Sequence, residues 1–130
     1  MRAMAESKKY EITVEVATEY LAEQSDVAAS RFVFAYHITI RNTGTVPAQL
    51  ISRHWIITDA DGAVQEVKGL GVVGHQPLLN PGQDFEYTSG CALTTAVGTM
   101  KGSYHMVADD GTHFDATIAE FVLSMPRVLH

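Results

Sequence analysis

Apolar and polar residues alternate along most of this chain with a period of two. The clearest run is Arg31–Arg41, in which aromatic and β-branched side chains occupy every second position. Such alternation is typical of β-strands that bury one face. The pattern predicts seven strands, with an eighth possible: Tyr10–Tyr20, Arg31–Arg41, Ala48–Asp59, Ala63–Lys68, Asp84–Leu93, Gly98–Val107 and His113–Leu123.

Two of these strands break the strict alternation. In Ala48–Asp59 apolar side chains occupy both odd-numbered and even-numbered positions, so they point to both faces of the strand. This indicates either a β-bulge or a strand that is covered on both faces. In the last strand the apolar series changes parity between Ile118 and Phe121, so we expect a bulge near Ala119-Glu120.

Turn signals separate the strands and no amphipathic helix pattern of useful length occurs. Asn42-Thr43-Gly44, Asp59-Ala60-Asp61-Gly62 and Asp109-Asp110-Gly111 are typical turn sequences. Leu21–Ser30 is predicted as a loop or a short helical turn, and Gly69–Gly82 as a loop. The fold class predicted is all-β, an antiparallel β-sandwich of immunoglobulin or fibronectin type III kind with seven to eight strands. A small closed barrel is the alternative.

Length, charge and cysteine content narrow the class of protein. The 130 residues correspond to one domain, predicted over 10–130, after a flexible tail over 1–9. A net charge of −6 disfavours nucleic-acid binding. The single cysteine, Cys91, excludes an intrachain disulfide, favours the fibronectin-like variant and indicates a reducing cytoplasm. No apolar run reaches the roughly 18 residues of a membrane helix, so no membrane insertion is expected, and the oligomeric state stays open.

A GxGxxG match formed by Gly69, Gly71 and Gly74 is the most conspicuous motif. In dinucleotide-binding folds these glycines lie between a strand and a helix whose N-terminus holds the pyrophosphate. Here Pro77 and Pro81 follow closely and exclude a helix of any length. The motif is therefore expected to be an inter-strand loop, with phosphate or nucleotide binding as the alternative.

The residues that could carry catalysis or bind metal do not form a recognisable set. Ser89 and Cys91 are the possible nucleophiles, but neither lies in a nucleophile elbow, so we expect no enzymatic activity. No histidines have helical metal-site spacing. His37, His105 and His113 are weak candidates for a metal site, because ligands from several strands would have to converge.

A recognition surface is the remaining possibility for this fold. Sandwiches of this kind bind through loops and exposed sheet faces or edges. We expect one surface to combine Trp55 with its neighbours and the glycine loop, although Trp55 could instead lie in the core. The candidate binding residues are Arg53, His54, Trp55, Gly69, Gly71, Gly74, His75 and Tyr87.

Five segments resemble the ApaG family: RFVFAYHITIRNTG, AQLISRHWIITDADG, GLGVVGHQPLLNPG, FEYTSGCALTTAVGTMKGSYHM and the terminal LH. The resemblance extends from about Tyr10 to His130. It implies a fibronectin type III-like sandwich and an association with cobalt resistance and magnesium efflux. It also implies a protein partner, as for the related domain of eukaryotic F-box proteins. Leu70 and His75 replace residues that are usually acidic in the family, so a cation site on the loop is weakened. Ala119 stands where a proline is common in the family.

The function expected from these observations is that of a cytoplasmic, non-enzymatic binding or adaptor domain that engages a protein partner through its glycine-loop side. One alternative is direct binding of a divalent cation, cobalt or magnesium, with no other cofactor. The other is a phosphate or nucleotide ligand at the glycine-rich loop.

Overall fold

The computed structural model describes residues 8–126. Most of the tail predicted over 1–9, and the terminal Leu129 and His130 of the family resemblance, lie outside the described residues. Lys9 lies inside them and forms an ion pair with Asp110, with 3.4 Å between the Nζ and Oδ2 atoms. Among residues 8–126, no helix has the length and apolar character needed to cross a bilayer.

Residues 8–126 contain eight strands, and seven of them match the predicted strands to within two residues. Two short 3-10 turns, Ala22–Gln24 and Val27–Ala29, occupy the segment predicted as a loop or helical turn. The strands are β1 Ile12–Tyr20, β2 Phe32–Asn42, β3 Ala48–Asp59, β4 Val64–Leu70, β5 Leu78–Leu79, β6 Asp84–Leu93, β7 Val97–Ala108 and β8 His113–Ser124.

The loop predicted over Gly69–Gly82 is shorter than expected, and this part of the prediction was wrong. β4 continues to Leu70, and β5 lies within the segment. The reason is that Leu79 pairs with Ala48 of β3 and packs into the core. Two residues are too few to display a period of two, so the sequence pattern does not identify β5.

The strands form two antiparallel sheets that pack face to face. One sheet has the order β1-β2-β6, and the other has the order β4-β3-β7-β8, with β5 pairing to the start of β3. β1 lies against β8 at one side of the sandwich. At the other side, β4 and β6 are the outermost strands of their sheets. The predicted all-β sandwich of fibronectin type III kind is confirmed.

The core lies between the sheets and is built from the inward-facing residues of both. Trp55 is at its centre, with ring centroids 5.4 Å from Tyr36, 5.9 Å from Phe121 and 6.4 Å from Tyr104. Burial of each large apolar side chain stabilises the fold by about 1.5–3 kcal/mol. Other fully buried members are Phe34, Ile38, Ile40, Leu50, Val72, Met100, Met106, Ile118 and Leu123.

Both predicted interruptions of the alternation are β-bulges. The register between β3 and β7 shifts between Leu50 and Ser52, so the buried parity changes from Leu50 to Trp55. In the pairing of β7 with β8, the two residues Ala119 and Glu120 lie opposite the single residue Lys101. The expected bulge near Ala119-Glu120 is therefore confirmed, and a bulge explains the mixed parity of β3.

Candidate functional site

A cleft opens between the sheets where β4 and β6 face each other at their outer edges. Its volume is about 300 Å³. The buried side chains of Tyr36, Trp55 and Met100 form the floor, and Val67 and Cys91 line opposite walls. The cleft exists because each sheet ends at these strands, so neither edge is covered by a further strand.

Polar residues occupy inward positions around this cleft, where the alternation of the strands would place apolar ones. Arg53 shares its inward parity with Trp55 on β3, and Gln65 shares that of Val67 on β4. Ser89 lies on the inward parity of β6, between Tyr87 and Cys91. A polar residue that faces a core is more informative than an exposed apolar one, because its burial carries a cost.

Arg53 connects the cleft to the glycine loop. Its Nη1 donates hydrogen bonds to the carbonyl oxygens of Leu70 and Gly71, at 3.0 and 2.9 Å. Gly69 permits this position, since a Cβ atom there would lie 2.8 Å from both terminal nitrogens of Arg53. Among residues 8–126, no carboxylate lies within ion-pair distance of the guanidinium, and its Nε and Nη2 have no hydrogen-bond acceptor.

Buried hydroxyl groups lie behind the cleft. The hydroxyls of Tyr87 and Tyr104 hydrogen-bond each other within the core. Burial raises the pKa of Tyr36, raises that of Tyr87 to about 12 and raises that of Tyr104 still further. Burial also raises the pKa of the Cys91 thiol. All four groups therefore stay protonated at neutral pH, and Cys91 is a poor nucleophile because the thiolate is the reactive form.

The glycine loop is a tight hairpin rather than an open loop. The N–H groups of Val72 and His75 each donate to the other residue's carbonyl oxygen, at 2.8 and 2.9 Å. Between them, Val73 has a φ of 43° and Gly74 a φ of 82°, which is typical of a type I′ turn. Val72 is fully buried and anchors the hairpin to the core.

Phosphate binding by this loop has little geometric support. The N–H of Gly71 donates to the carbonyl of Ile51, and those of Val72 and His75 are used within the hairpin. The chain then continues into strand β5, whereas a dinucleotide site requires a helix N-terminus at this point. The main-chain donors that would cradle a phosphate are mostly committed elsewhere.

Three large apolar side chains around the hairpin are exposed. The exposed fractions are 75% for Leu70, 52% for Val73 and 58% for Leu78. Leu70 pairs with Ser52 and Leu78 with Gln49, both on the outer edge of β3. We refer to Leu70, Val73 and Leu78 as the hairpin surface.

The structure divides the predicted binding residues between several places. Trp55 and Tyr87 are buried in the core, so the alternative expectation for Trp55 is correct. His54 faces outward and contacts Glu66 of β4 at 2.8 Å, because neighbouring residues of a strand face opposite sides. The single surface expected from Arg53, His54 and Trp55 is therefore not formed.

The glycine loop accounts for the remaining binding candidates. Arg53, Gly69 and Gly71 lie together, as described above. Gly74 occupies the turn at the hairpin tip. The exposed His75 ring lies 5.8 Å from that of Phe85, measured between centroids.

The three histidines considered for metal binding do not converge. His105 and His113 hydrogen-bond each other at 2.9 Å on the outer face of β7 and β8, and His105 also contacts Asp115 at 2.9 Å. His37 lies on β2, on the outer face of the other sheet. In the part of the chain that the structure describes, no three His, Cys, Asp or Glu side chains are placed to hold a metal ion.

One arrangement of side chains has the order of a catalytic triad. The ring of His37 contacts the Thr88 hydroxyl at 2.8 Å and the Glu86 carboxylate at 3.1 Å. All three side chains are exposed on the outer face of β2 and β6. A solvated sheet face neither excludes water nor positions a substrate, so we interpret these contacts as cross-strand pairing.

Sequence reasoning found part of the cleft and missed the rest. Arg53 and Gly69 were candidates, but Gln65 was not considered, and Ser89 was considered only as a nucleophile. The sequence does contain a signal for these two residues. Gln65 in β4 and Ser89 in β6 occupy alternating positions that otherwise face the core. That signal becomes interpretable only when the pairing of β4 with β3 is known.

The strand orders β1-β2-β6 and β4-β3-β7-β8 define a two-sheet sandwich of the fibronectin type III class. The family model for the ApaG domain matches residues 22–108. The chain is 72% identical over 127 residues to the protein ApaG of Thiobacillus denitrificans and 68% identical to that of Nitrosospira multiformis, covering 98% of this chain and all of each relative. This chain belongs to the ApaG family.

A solved structure supports the same conclusion. The crystal structure of the ApaA protein from Bordetella pertussis matches with a TM-score of 0.92 and 58% sequence identity. The match covers 95% of this chain and 100% of that one. The family resemblance noted in the sequence is thereby confirmed.

Proposed function

We propose that this chain is a non-enzymatic binding module that engages a protein partner through the hairpin surface. The observation that carries the proposal is the exposure of Leu70, Val73 and Leu78 around one anchored hairpin. Exposed apolar groups that cluster on a rigid support are typical of interaction sites. A hairpin that is already ordered loses little conformational entropy when it binds.

The backbone of the hairpin tip adds a second argument. Val73 has a positive φ of 43°, although a β-branched side chain strongly disfavours that region. Its side chain is more than half exposed, so packing within this domain does not account for a valine there. Strain that is retained at an exposed position points to a role in recognition.

A positive charge beside the hairpin surface indicates that the partner segment carries an acidic residue. Lys68 precedes Leu70 by two residues and shares its face of β4, and no carboxylate of residues 8–126 lies within ion-pair distance of its amine. We expect a partner segment with apolar side chains beside at least one acidic residue. Polar complementarity of this kind mainly sets specificity and association rate.

Absence of enzymatic activity is part of the proposal. The Cys91 thiol stays protonated, and the contacts of His37 with Thr88 and Glu86 lie on an open sheet face. The link of the family to cobalt resistance and magnesium efflux would then run through the partner. A free thiol in the chain is consistent with action in a reducing cytoplasm.

The test is quantitative affinity capture from a lysate of cells in which the protein occurs naturally. Wild type is compared with the triple variant Leu70→Ser, Val73→Ser, Leu78→Ser. The control is Val122→Ser, because Val122 is also 56% exposed but lies on β8. We expect a partner that wild type and the control retain and that the triple variant loses at least tenfold. Equal capture by all three proteins would contradict the proposal.

A further inference from the structure

We propose that the cleft between β4 and β6 is a second binding site, which holds a small organic carboxylate on Arg53. This site goes beyond the hairpin surface, because its ligand would enter between the two sheets. The hairpin and the cleft share only the Arg53 side chain, whose Nη1 is bonded to the loop carbonyls.

The Arg53 guanidinium has no carboxylate partner among residues 8–126, which supports an anionic ligand in the cleft. Half-buried charges in proteins are normally paired, because removal from water is costly. Arg53 is half-buried, and residues 8–126 offer it no carboxylate, although the chain carries 15 acidic residues against nine basic ones. The Nε and Nη2 donors have no acceptor among these residues and are open to solvent, so both are free to bind a ligand.

The geometry of a second arginine indicates which ligand fits those donors. In Arg41, Nε donates to Oδ1 of Asp84 at 2.6 Å and Nη2 donates to Oδ2 at 2.7 Å. This two-bond arrangement is the preferred way for arginine to hold a carboxylate. Arg53 lines the cleft and has the same pair of nitrogens without an acceptor among residues 8–126, whereas Nη1 is committed to the loop.

The walls of the cleft select for an apolar body attached to the charged group. Tyr36, Trp55 and Met100 form an apolar floor. A volume of about 300 Å³ lies at the lower end of the range for small-molecule sites, so the ligand is small. The polar side chains of Arg53, Gln65 and Ser89 surround this apolar floor, so the cleft offers polar contacts to one part of a ligand and an apolar surface to the other.

The remaining polar groups of the cleft are neutral donors and acceptors. Gln65 and Ser89 lie on opposite walls, and the thiol of Cys91 stays protonated. One guanidinium with neutral neighbours suits a single negative charge. A phosphate, with two charges at neutral pH, would call for further cationic or main-chain donors.

The experiment follows backbone amide chemical shifts of the full chain during titration with benzoate. Benzyl alcohol is the neutral control of similar shape, and inorganic phosphate is the control for a general anion. We expect saturable shifts at Gln65, Gly90 and Cys91 with benzoate and at least tenfold weaker effects with either control. No saturable shift with benzoate, equal binding of benzyl alcohol, or tighter binding of phosphate would overturn the proposal.

Variants separate the cleft from the loop. Arg53→Gln should weaken benzoate binding at least tenfold, whereas Arg41→Gln, on the outer face of the other sheet, should leave it unchanged. Because Arg53→Gln also removes the bonds to the loop, Ser89→Leu provides a second variant that fills the cleft and leaves Arg53 in place. Unchanged affinity in both Arg53→Gln and Ser89→Leu would overturn the assignment.

Alkylation of Cys91 supplies an independent readout that needs no isotope-labelled protein. Its thiol lines the cleft and is the only thiol of the chain. Saturating benzoate should slow alkylation of Cys91 by iodoacetamide at least fivefold in wild type and in Arg41→Gln, but not in Arg53→Gln. Equal alkylation rates with and without benzoate in wild type would show that the ligand does not occupy the cleft.

Discussion

Arg53 joins the two candidate binding features, the hairpin and the cleft. Its Nη1 holds the carbonyl oxygens of Leu70 and Gly71, so the start of the hairpin depends on this side chain. The same side chain lines the cleft between the sheets. A Cβ atom at position 69 would lie 2.8 Å from both terminal nitrogens of Arg53, so any larger residue there would displace the guanidinium. A change at Arg53 should therefore affect both the hairpin and the cleft.

The two glycines of the hairpin should differ in their tolerance of alanine. Gly71 has a φ of 62°, and an added Cβ would lie 2.3 Å from the carbonyl oxygen of His75. Gly74 has a φ of 82°, but an added Cβ would meet open space. Gly74→Ala should lower the free energy of unfolding by about 1 kcal/mol, and Gly71→Ala by at least about 2 kcal/mol. Urea denaturation measures both, and equal losses would contradict the clash.

The Tyr87 and Tyr104 pair should make the protein sensitive to alkali. Tyr87 has an ordinary pKa of 10.0 that burial raises to about 12 in the fold, so the folded state binds this proton more tightly. The stability contributed is complete below pH 10 and is lost as the pH rises towards about 12. The expected slope from Tyr87 alone is about 1.4 kcal/mol per pH unit.

Phenylalanine variants test this linkage. Tyr87→Phe should lessen the alkaline slope and, at neutral pH, cost about 1–3 kcal/mol because the buried Tyr104 hydroxyl loses its partner. The control is the double variant Tyr87→Phe, Tyr104→Phe, which leaves no unpaired hydroxyl and should be more stable at pH 7 than either single variant. Urea denaturation between pH 7 and 11.5 measures the slopes. Parallel pH profiles for wild type and the double variant would refute the assignment.

At the scale of the elements, the bulge in β3 decides which residues reach the core. Before the bulge, Ala48 and Leu50 face inward, and after it Arg53, Trp55 and Ile57 do. Because side chains alternate with a period of two, one extra residue exchanges the two faces of the strand. The bulge thereby places Arg53 in the cleft and His54 on the outer face.

β3 and β7 approach so closely beside Trp55 that the facing residue must be glycine. An added Cβ at Gly102 would lie 2.0 Å from the main-chain carbonyl oxygen of His54. Gly102→Ala should therefore destabilise the protein by at least about 3 kcal/mol or prevent folding. Gly90→Ala is the matched control, since its Cβ would meet its nearest atom at 3.4 Å and should change stability by less than about 1 kcal/mol. Thermal unfolding followed by circular dichroism compares them, and similar losses would be inconsistent with this packing.

At the scale of the whole molecule, the two sides of the sandwich differ. On one side β1 lies against β8, and Asp110 in the β7–β8 turn binds the start of the chain through Tyr10 and Lys9. On the other side the sheets part and leave the cleft. The hairpin surface lies along the same outer edge of β3 as β4, so both candidate sites lie towards the open side.

On the side where β1 lies against β8, the contribution of Asp110 to the stability of the fold should depend on pH in the acid range. Hydrogen bonds from Tyr10 and Thr112 hold the pKa of Asp110 well below its usual range. A depressed pKa means that the contribution of Asp110 to stability is complete above about pH 4 and is lost as the pH falls through the folded value. Asp110→Asn should lower the urea midpoint at pH 7, and its deficit should shrink between pH 4 and 2. A deficit that stays constant over this range would contradict the role of the carboxylate.

Much of the fold could be predicted because apolar residues occupy every second position of a strand that buries one face. Seven strand positions followed from the alternation together with the turn signals between the strands, and the bulge near Ala119-Glu120 followed from a change of parity. β5 could not be predicted, since Leu78 and Leu79 become a strand only by pairing with β3. The sequence also left two positions possible for Trp55, on the surface or in the core. The reason is that β3 has apolar residues at both odd-numbered and even-numbered positions, so its inward face is not determined by the alternation.

The sequence by itself determined the all-β class, the ApaG family and the presence of a glycine-rich loop without a following helix. Only the tertiary structure decided which residues meet: Arg53 with Gly69 and Gly71, and β4 with β6 across the cleft. Local alternation states which face of a strand is buried, but not which strand lies opposite. That choice depends on long-range pairing and on the packing of two sheets, which no short stretch of sequence specifies.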